Sequence, residues 1–357
     1  MTKERTGIVK ALPYIILIAL SILLPVFLNS RTWINCFIMI FVSIVGSVSL
    51  RTISLSGNMS FAHGAFIGLG AYTAGVLAKS FGLSMFITIP LGAIFALLIG
   101  LITGWPFSRL RRIYFCMGSM FMGVAIINFI SSMKITGGAN GMMKIPSMSK
   151  ALSGLTDLIG WSSTYTCYYF FLLITLISLV CLYRFEHSRI GWTLRALSQS
   201  PEVAESIGIN EKFYRLLSVG LGCFFAGLAG ATYAHYNTTL SPNSYSMNLT
   251  LWLIMYMMIG GQSSFLGPII GAIILELLSQ ITTLLNGMTG GNVSEGFIAF
   301  ARWVGTYSAY SPFLLAFILL LIAYFMPGGL ISIPASIKMK RAARREAKRK
   351  EGDANAA

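Results

Sequence analysis

The hydrophobic positions of this chain form long continuous runs separated by short polar connections. A helix that crosses a bilayer needs about 20 apolar residues, and ten runs of roughly this length lie along the chain. They span residues 11–28, 33–50, 58–78, 85–105, 113–131, 166–183, 213–236, 248–261, 265–285 and 309–327. The third run is rich in glycine and the eighth is short. We therefore predict an all-α polytopic membrane bundle of about ten transmembrane helices, because barrel strands would alternate polar and apolar residues instead.

The composition agrees with this pattern. The 357 residues are 55% hydrophobic and only 10% charged, whereas a soluble domain carries about 25% charged residues. This excludes a soluble enzyme, a disulfide-rich secreted domain and a disordered chain. The five cysteines form no C-x-x-C motif, so they indicate neither a disulfide framework nor a metal site. The N-terminal apolar run is long for a signal peptide and no cleavage motif follows, so we expect an uncleaved first helix.

Topology explains the net charge of +15 better than nucleic-acid binding does. With both termini in the cytoplasm, 20 of the 26 Lys and Arg residues lie on the cytoplasmic side and six lie outside, as the positive-inside rule requires. We predict a transmembrane domain over 1–336 and a basic cytoplasmic tail over 337–357, near the lipid headgroups. Residues 132–165 and 286–308 would form outer loops, and 184–215 a polar cytoplasmic segment.

The chain carries no familiar catalytic motif. It has no G-x-x-x-x-G-K-[ST], H-E-x-x-H or G-x-S-x-G sequence, so we expect no catalytic residue, cofactor or metal of its own. Glu276 alone lies in the middle of an apolar run, where a carboxylate costs about 2.5–3.5 kcal/mol. It would serve either a transport pathway or an interhelical hydrogen bond. A single such acid is weak support for proton-coupled transport, while sodium coupling through backbone carbonyls stays open.

A polar stretch opens the third apolar run. Asn58, Ser60 and His63 bring amide, hydroxyl and imidazole groups beside Gly64. Exposure of any of these polar side chains to lipid is energetically unfavourable. They would line either a helix contact or a water-filled pathway. Gly64 and Gly68 also begin a series of small-x-x-x-small patterns, which allow close packing of helix backbones. The other patterns are Gly100 with Gly104, Ala226 with Gly230, and Gly267 with Gly271.

The polar cytoplasmic segment contains a short helix with clear boundary signals. Ser200 suits the N-cap and Pro201 the first helical position, and Gly208 can end a helix. We therefore predict a helix from Pro201 to Ile207. Acidic residues in its first turns complement the helix dipole; these are Glu202 and Glu205. This helix is either a solvated connector or a docking site for a cytoplasmic partner.

Four stretches carry a combined signature along the chain. They are Ser54–Tyr72 (SLSGNMSFAHGAFIGLGAY), Arg112–Gly141 with TGGANG before Ile145-Pro146, Ala196–Asn210, and Ile259–Gly271 (IGGQSSFLGPIIG). Together they resemble the branched-chain amino acid permeases of the LivM type. Ala196–Asn210 is similar to the cytoplasmic coupling loop of ABC importer permeases, with Ala204 and Gly208 at the spacing of that family.

The resemblance implies an ABC importer permease in the bacterial inner membrane. A second homologous permease would pair with it, two ATP-binding subunits would dock on the coupling segment, and a periplasmic binding protein would deliver a branched-chain amino acid. The residues expected to couple to the ATPases are Arg195, Ser200, Pro201, Glu202, Ala204, Glu205, Gly208 and Ile209. Those expected in the translocation pathway are Asn58, Ser60, His63, Gly64, Asn140 and Glu276.

The chain departs from the family pattern at two places. Met122-Gly123-Val124 is apolar where members often have a polar or acidic residue, and residues 58–63 read NMSFAH where members commonly have QLSLGH. Both places lie where a pathway would run, so urea, amides, nucleosides and organic acids stay open as alternative substrates. A stand-alone secondary transporter is the alternative of another class, although no internal repeat is visible.

Overall fold

A computed structural model describes residues 21–23, 25, 31–110, 113–154, 156 and 162–288. Within these ranges the regular structure is helical, and the β-type pairing consists of one antiparallel bridge between Met142 and Leu240. The helices are α1 (Arg31–Ser54), α2 (His63–Ser80), α3 (Met85–Phe107), α4 (Ile113–Ser132), α5 (Met148–Ala151), α6 (Ser163–Glu186), α7 (Arg189–Gln199), α8 (Pro201–Ser206), α9 (Glu211–Asn237), α10 (Met247–Gly260) and α11 (Leu266–Met288). Short 3₁₀ turns occupy Lys134–Thr136, Gly138–Asn140 and Pro242–Tyr245.

Five of the described helices, α1, α3, α4, α6 and α9, are long and apolar enough to cross a membrane. They confirm five of the predicted spans within a few residues at each end. The protein is therefore a polytopic helical membrane protein, as predicted. The spans predicted at 11–28 and 309–327 fall outside the described residues, apart from 21–23 and 25. The tail and its boundary at 336 fall outside them too.

Two predicted spans differ from the observed helices. Helix α2 begins at His63, five residues later than predicted, and residues 55–62 ahead of it are not helical. Helix α10 has 14 residues, fewer than the roughly 20 that a straight crossing of a bilayer needs. Both differences lie in the two runs with the weakest apolar pattern.

The chain divides into two compact units, Met1–Thr250 and Leu251–Ala357. In the first unit, α9 packs against α1, α2 and α3. Glycines bring these backbones into direct contact: Gly230 lies against the carbonyl of Ile67, and Gly70 against the carbonyl of Gly227. A Cβ at Gly92 would lie 2.7 Å from the Gly70 oxygen. Small residues therefore set the spacing of the central helices, as small-x-x-x-small patterns do in membrane proteins.

The second unit contains α11 and most of α10. Gly261, with φ of +111°, turns the chain after α10. Gly260 lies against the carbonyl of Gly267, and Gly267 lies against the carbonyl of Gly261. Gly271 lies against the carbonyl of Tyr256. The predicted pattern of Gly267 and Gly271 thus forms the close contact between these two helices.

Helices α3 and α4 carry large exposed apolar side chains along their length. Among them are Phe86, Phe95, Ile102, Trp105, Tyr114, Phe121 and Phe129. An exposed apolar surface this extensive would be unstable in water and is suited to lipid chains.

Candidate functional site

The polypeptide leaves the helical conformation between α1 and α2. Gly57, with φ of +80°, turns the chain at the end of α1, and we call residues 55–62 the helix break. Asn58 and Ser60 in this break are only 2% and 4% exposed. At membrane depth, non-helical backbone is stable only where it is buried in protein or lines a water-filled path. The break therefore lies inside the bundle, away from lipid.

Helix α4 packs directly on the helix break. The Phe61 amide donates a hydrogen bond to Ser119 Oγ at 3.0 Å, so a side chain replaces the missing helical acceptor. A Cβ on Gly123 would lie 3.0 Å from Ala62 Cα, so this close contact depends on glycine. The apolar Met122-Gly123-Val124 sequence therefore lies beside the break, and its glycine is what lets the two segments meet.

His63, the first residue of α2, is fully buried and is hydrogen-bonded through one ring nitrogen. Its Nε2 lies 2.9 Å from Ser49 Oγ, and that hydroxyl donates to the Gly46 carbonyl at 2.9 Å. Because the hydroxyl hydrogen is used for Gly46, the imidazole Nε2–H donates to Ser49 and Nδ1 keeps its lone pair. Nδ1 has no hydrogen-bond partner among the residues that the structure describes. Buried acceptors without a partner are rare, so Nδ1 is a candidate acceptor for a bound molecule.

Gly64 brings the start of α2 against the beginning of α10 and the residue before it. Its amide donates to Thr250 Oγ1 at 2.8 Å, and a Cβ here would lie 3.1 Å from the Ser246 carbonyl oxygen. One turn later, a Cβ on Gly68 would lie 2.8 Å from Tyr245 Cβ. The predicted G-x-x-x-G face is thus used for close packing.

Helices α7 and α8 form a second polar region, which we call the helix pair. Helix α8 starts at Ser200, whose carbonyl accepts from the Ala204 amide at 3.1 Å while its side chain makes no capping bond. Gly208, with φ of +84°, ends the helix as predicted. The Ile209 amide then donates to the Ala204 carbonyl at 3.1 Å. The predicted helix is confirmed, one residue shorter at its C-terminus.

Helix α7 is fixed to the end of α6. Ser188 caps it by accepting from the Gly191 amide at 3.4 Å. Gly191 itself lies against the backbone carbonyl of Glu186, where no side chain would fit. Leu194 and Leu197 are fully buried on the same helix. One face of α7 is therefore held against the bundle.

The other face of the helix pair is exposed and partly apolar. Trp192, Val203 and Ile207 are 61%, 63% and 73% exposed. The carboxylates of Glu202 and Glu205 lie on the same exposed segment. Exposed apolar groups on an otherwise polar segment are typical of surfaces that interact with a protein or a membrane.

The helix pair is joined both to the end of α1 and to the helix break. Glu186, at the end of α6, forms ion pairs with Arg51 of α1 through one carboxylate oxygen and with Arg195 of α7 through the other. We call these three residues the arginine–glutamate cluster. A Cβ on Gly57 would also lie 3.2 Å from Ser198 Cα, so the turn of the break touches α7 directly. The exposed surface and the buried polar stretch are therefore mechanically connected.

Comparison with known proteins identifies the family of this chain. The family model described as branched-chain amino acid transport system, permease component, matches residues 32–323. The chain belongs to this family. The LivM permease of the high-affinity branched-chain amino acid transport system of Escherichia coli (strain K12) is 26% identical over 300 residues, which cover 77% of this chain and 70% of LivM.

Two further relatives are more distant. The probable branched-chain amino acid transport permease LivH of Methanocaldococcus jannaschii is 22% identical over 268 residues, covering 72% of this permease and 81% of LivH. The autoinducer 2 import system permease LsrC of Yersinia pseudotuberculosis (serotype O:1b) is 23% identical over 269 residues, covering 71% of both chains. No solved structure matches the permease.

The permease brings together four of its six predicted pathway residues. The four that lie in or directly after the helix break are Asn58, Ser60, His63 and Gly64. Asn140 is exposed at the end of a 3₁₀ turn, two residues before the bridge between Met142 and Leu240. Glu276 lies in the second unit, where the Tyr256 hydroxyl donates to its carboxylate at 2.7 Å. The assignment of all six residues to a pathway stays a prediction.

The predicted coupling residues all lie on the helix pair or just after it, in different environments. Glu202 and Glu205 are exposed, Ala204 is buried, and Gly208 has no heavy atom within 4 Å of an added Cβ. Arg195 differs from expectation in that its guanidinium binds Glu186 inside the permease. The others are Ser200 and Pro201 at the start of α8 and the half-buried Ile209.

Sequence reasoning missed the residues that hold these groups in place. It counted Arg51 and Glu186 only as charged residues on the cytoplasmic side, although both are buried. The sequence signal for Arg51 is its position directly after the apolar run 33–50. Ser119 and Thr250, which bind the backbone at the break, gave the weaker signal of single hydroxyls within apolar runs.

A polar cavity of about 250 Å³ lies at the opposite end of α1. Its walls include Arg31 and Asn35 of α1, and the Tyr236 hydroxyl donates to Asn35 across it. His235 at its edge is already bonded to Thr88 Oγ1 at 2.7 Å and to a backbone carbonyl. None of the predicted site residues lines this cavity.

Proposed function

We propose that this permease is a membrane subunit of a bacterial ABC importer for branched-chain, hydrophobic amino acids. It lies in the inner membrane with both termini in the cytoplasm and pairs with a second homologous permease. A periplasmic binding protein delivers the substrate, and two partner subunits bind and hydrolyse ATP. The printed names of LivM and LivH, both branched-chain amino acid permeases, support this substrate class.

The observation that carries the proposal is the exposed face of the helix pair. Its apolar residues Trp192, Val203 and Ile207 would be covered by an ATPase subunit, and Glu202 with Glu205 would meet basic groups of that partner. The opposite face is fastened to the bundle. A partner that grips this surface would therefore move a fixed part of the permease.

The mechanism follows from the connection to the helix break. ATP-driven closure of the two ATPases would displace the helix pair and, with it, the turn at Gly57. The break would then open its polar groups alternately to either side of the membrane. Asn58, Ser60 and His63 would bind the polar part of the amino acid, with His63 Nδ1 accepting a hydrogen bond from its ammonium group. Selectivity also depends on the binding protein.

Reconstitution of the complete transporter in proteoliposomes tests the substrate and the energy source together. We expect uptake of radiolabelled leucine that requires both the ATPase subunits and ATP. Valine and isoleucine should compete, whereas urea, amides, nucleosides, organic acids and autoinducer 2 should not. Uptake by the permeases without ATPases would instead indicate a secondary transporter, and competition by another class would reassign the substrate.

Two glycines offer a matched pair for testing the docking surface. Gly208 and Gly82 have φ of +84° and +65°, and an added Cβ at either meets no heavy atom within 4 Å. Gly208→Trp, combined with Ala204→Arg, should lower uptake about tenfold or more, the size of a typical coupling between sites. Gly82→Trp should leave uptake unchanged. Normal uptake by a correctly inserted double variant would contradict the proposed docking surface.

A further inference from the structure

Glu186 occupies an unusual position for a carboxylate at the end of a membrane-crossing helix. It is the last residue of α6 and is only 3% exposed. Its Oε2 binds Arg51 Nη1 in the last turn of α1, and its Oε1 binds Arg195 Nη2 in α7. One buried carboxylate thus joins three helices.

The burial of the cluster makes this link resistant to separation. The Arg51 side chain is 2% exposed and the Glu186 side chain 4%. Separation of such a pair would leave an uncompensated charge in a low-dielectric interior, which is strongly unfavourable. The ends of α1 and α6 are therefore held together, and the Arg195 arm, whose side chain is 30% exposed, links α7 to them.

The cluster also reaches the exposed face of the helix pair. The Arg195 guanidinium lies over the Trp192 ring, 5.0 Å from its centroid. Trp192 belongs to the surface that we propose meets an ATPase. At the other end of the cluster, Arg51 stands six residues before the turn at Gly57, which itself contacts Ser198 of α7. A continuous series of contacts thus runs from the exposed surface to the helix break.

A second buried acid–base pair lacks this property. Glu211 and Arg215 of α9 are also buried, but they lie one turn apart on the same helix. Their ion pair lies within one helix, and Arg215 also donates to the Leu110 carbonyl at 3.0 Å, but neither contact connects α7 with α1. This pair provides a control with the same chemistry and similar burial.

We infer that Glu186 is a positioning residue that transmits displacement of α7 to the helix break, through Arg195 on one side and Arg51 on the other. The inference rests on the proposed function, because it requires an ATPase that moves the helix pair. Loss of the carboxylate charge should therefore separate ATP hydrolysis from transport, rather than abolish either subunit assembly or hydrolysis.

The test is Glu186→Gln in the complete reconstituted transporter, with Glu211→Gln as its matched control. The measured quantity is leucine transported per ATP hydrolysed, together with the melting temperature of each complex. Glu186→Gln should lower this ratio about fivefold or more, within the range of coupling energies between sites, at nearly unchanged hydrolysis. Glu211→Gln should keep the wild-type ratio. A purely structural role would lower the melting temperature of both variants without changing the ratio.

Arg195→Gln provides a second variant in case Glu186→Gln does not assemble. The Arg195 side chain is 30% exposed, so its replacement disturbs the interior less. It removes the arm of the cluster that reaches α7 and should lower the same ratio. A wild-type ratio in an assembled Glu186→Gln or Arg195→Gln complex would overturn the inference.

A readout that needs no substrate separates this inference from the proposed function. Ser60→Cys places a thiol in the helix break, and its alkylation is measured with and without ATP. Peptide mass spectrometry distinguishes this thiol from the native, exposed Cys181. ATP should change the labelling rate in the otherwise wild-type complex and in Glu211→Gln, but not in Glu186→Gln. If ATP changed the labelling rate equally in the wild-type background, Glu211→Gln and Glu186→Gln, the role of Glu186 would be overturned but the proposed function would stand. No response in the wild-type background would overturn the proposed function and this inference with it.

Discussion

Polar side chains are usually exposed and apolar ones buried, and the helix break and the helix pair depart from this rule in opposite ways. The break buries Asn58 and Ser60, and His63 directly after it, although the backbone of the break itself is not helical. The helix pair is regular, yet it exposes Trp192 and Ile207. In each region, the local sequence alone does not explain the environment of these side chains.

The two regions differ in what their unusual side chains and backbone groups contact. At the break, other parts of the same chain supply hydrogen-bond partners, through Ser119 Oγ at 3.0 Å from the Phe61 amide and Ser49 Oγ at 2.9 Å from His63 Nε2. At the helix pair, Val203 and Ile207 stay 63% and 73% exposed, and Trp192 stays 61% exposed although Arg195 lies over its ring. Substitutions in the break should therefore change stability first, whereas those on the exposed face should change association first.

The largest loss of stability is expected from Arg51→Met. Removing one member of a buried ion pair costs about 3–5 kcal/mol, and the remaining bond to Arg195 places this case at the lower end. SDS-induced unfolding in mixed micelles measures the free energy of unfolding. Arg109→Met is the control, because that guanidinium is exposed and lies 5.0 Å from the Trp105 ring. Equal losses for both arginines would show that the cluster does not anchor the break.

A glycine-to-alanine exchange in each region should have a smaller and unequal effect. Gly64→Ala would bring a Cβ within 2.9 Å of Thr250 Oγ1 and 3.1 Å of a backbone oxygen, and such overpacking costs about 1–3 kcal/mol. Gly208→Ala meets no atom and costs only the left-handed backbone strain, about 1 kcal/mol. The same unfolding measurement compares the two variants. A greater loss for Gly208→Ala would contradict the tight packing assigned to the break.

The smallest change in stability is expected from Trp192→Ala. The ring is mainly exposed, so the free energy of unfolding should change by at most about 1 kcal/mol, the value of an exposed cation–π contact. Retention of the ATPase subunits on immobilised permease should nevertheless fall about tenfold, because exposed tryptophans often dominate interfaces. Phe121→Ala on α4 removes a similarly exposed ring elsewhere and should not affect retention. Unchanged retention by Trp192→Ala would remove this residue from the interface.

The sequence predicted elements better than it predicted their connections. Apolar runs and capping residues located five membrane-crossing helices and the helix over Pro201–Ser206, because these features depend on neighbours in the chain. The start of α2 was placed five residues early, because Met59, Phe61 and Ala62 continue the apolar run while the backbone takes Ser119 as its partner. The cluster joins Arg51 to Glu186 across 135 residues, a separation that no periodic pattern records.

The glycine contacts of α9 determine which parts of the permease can move. Where Gly230 meets the Ile67 carbonyl and Gly70 meets that of Gly227, there are no side chains that could change rotamer to let the backbones slide. Helices α2, α3 and α9 should therefore behave as one rigid frame throughout a transport cycle. If the proposed pathway runs through the helix break, it would then open at the edge of that frame, where α1 and α4 meet the break.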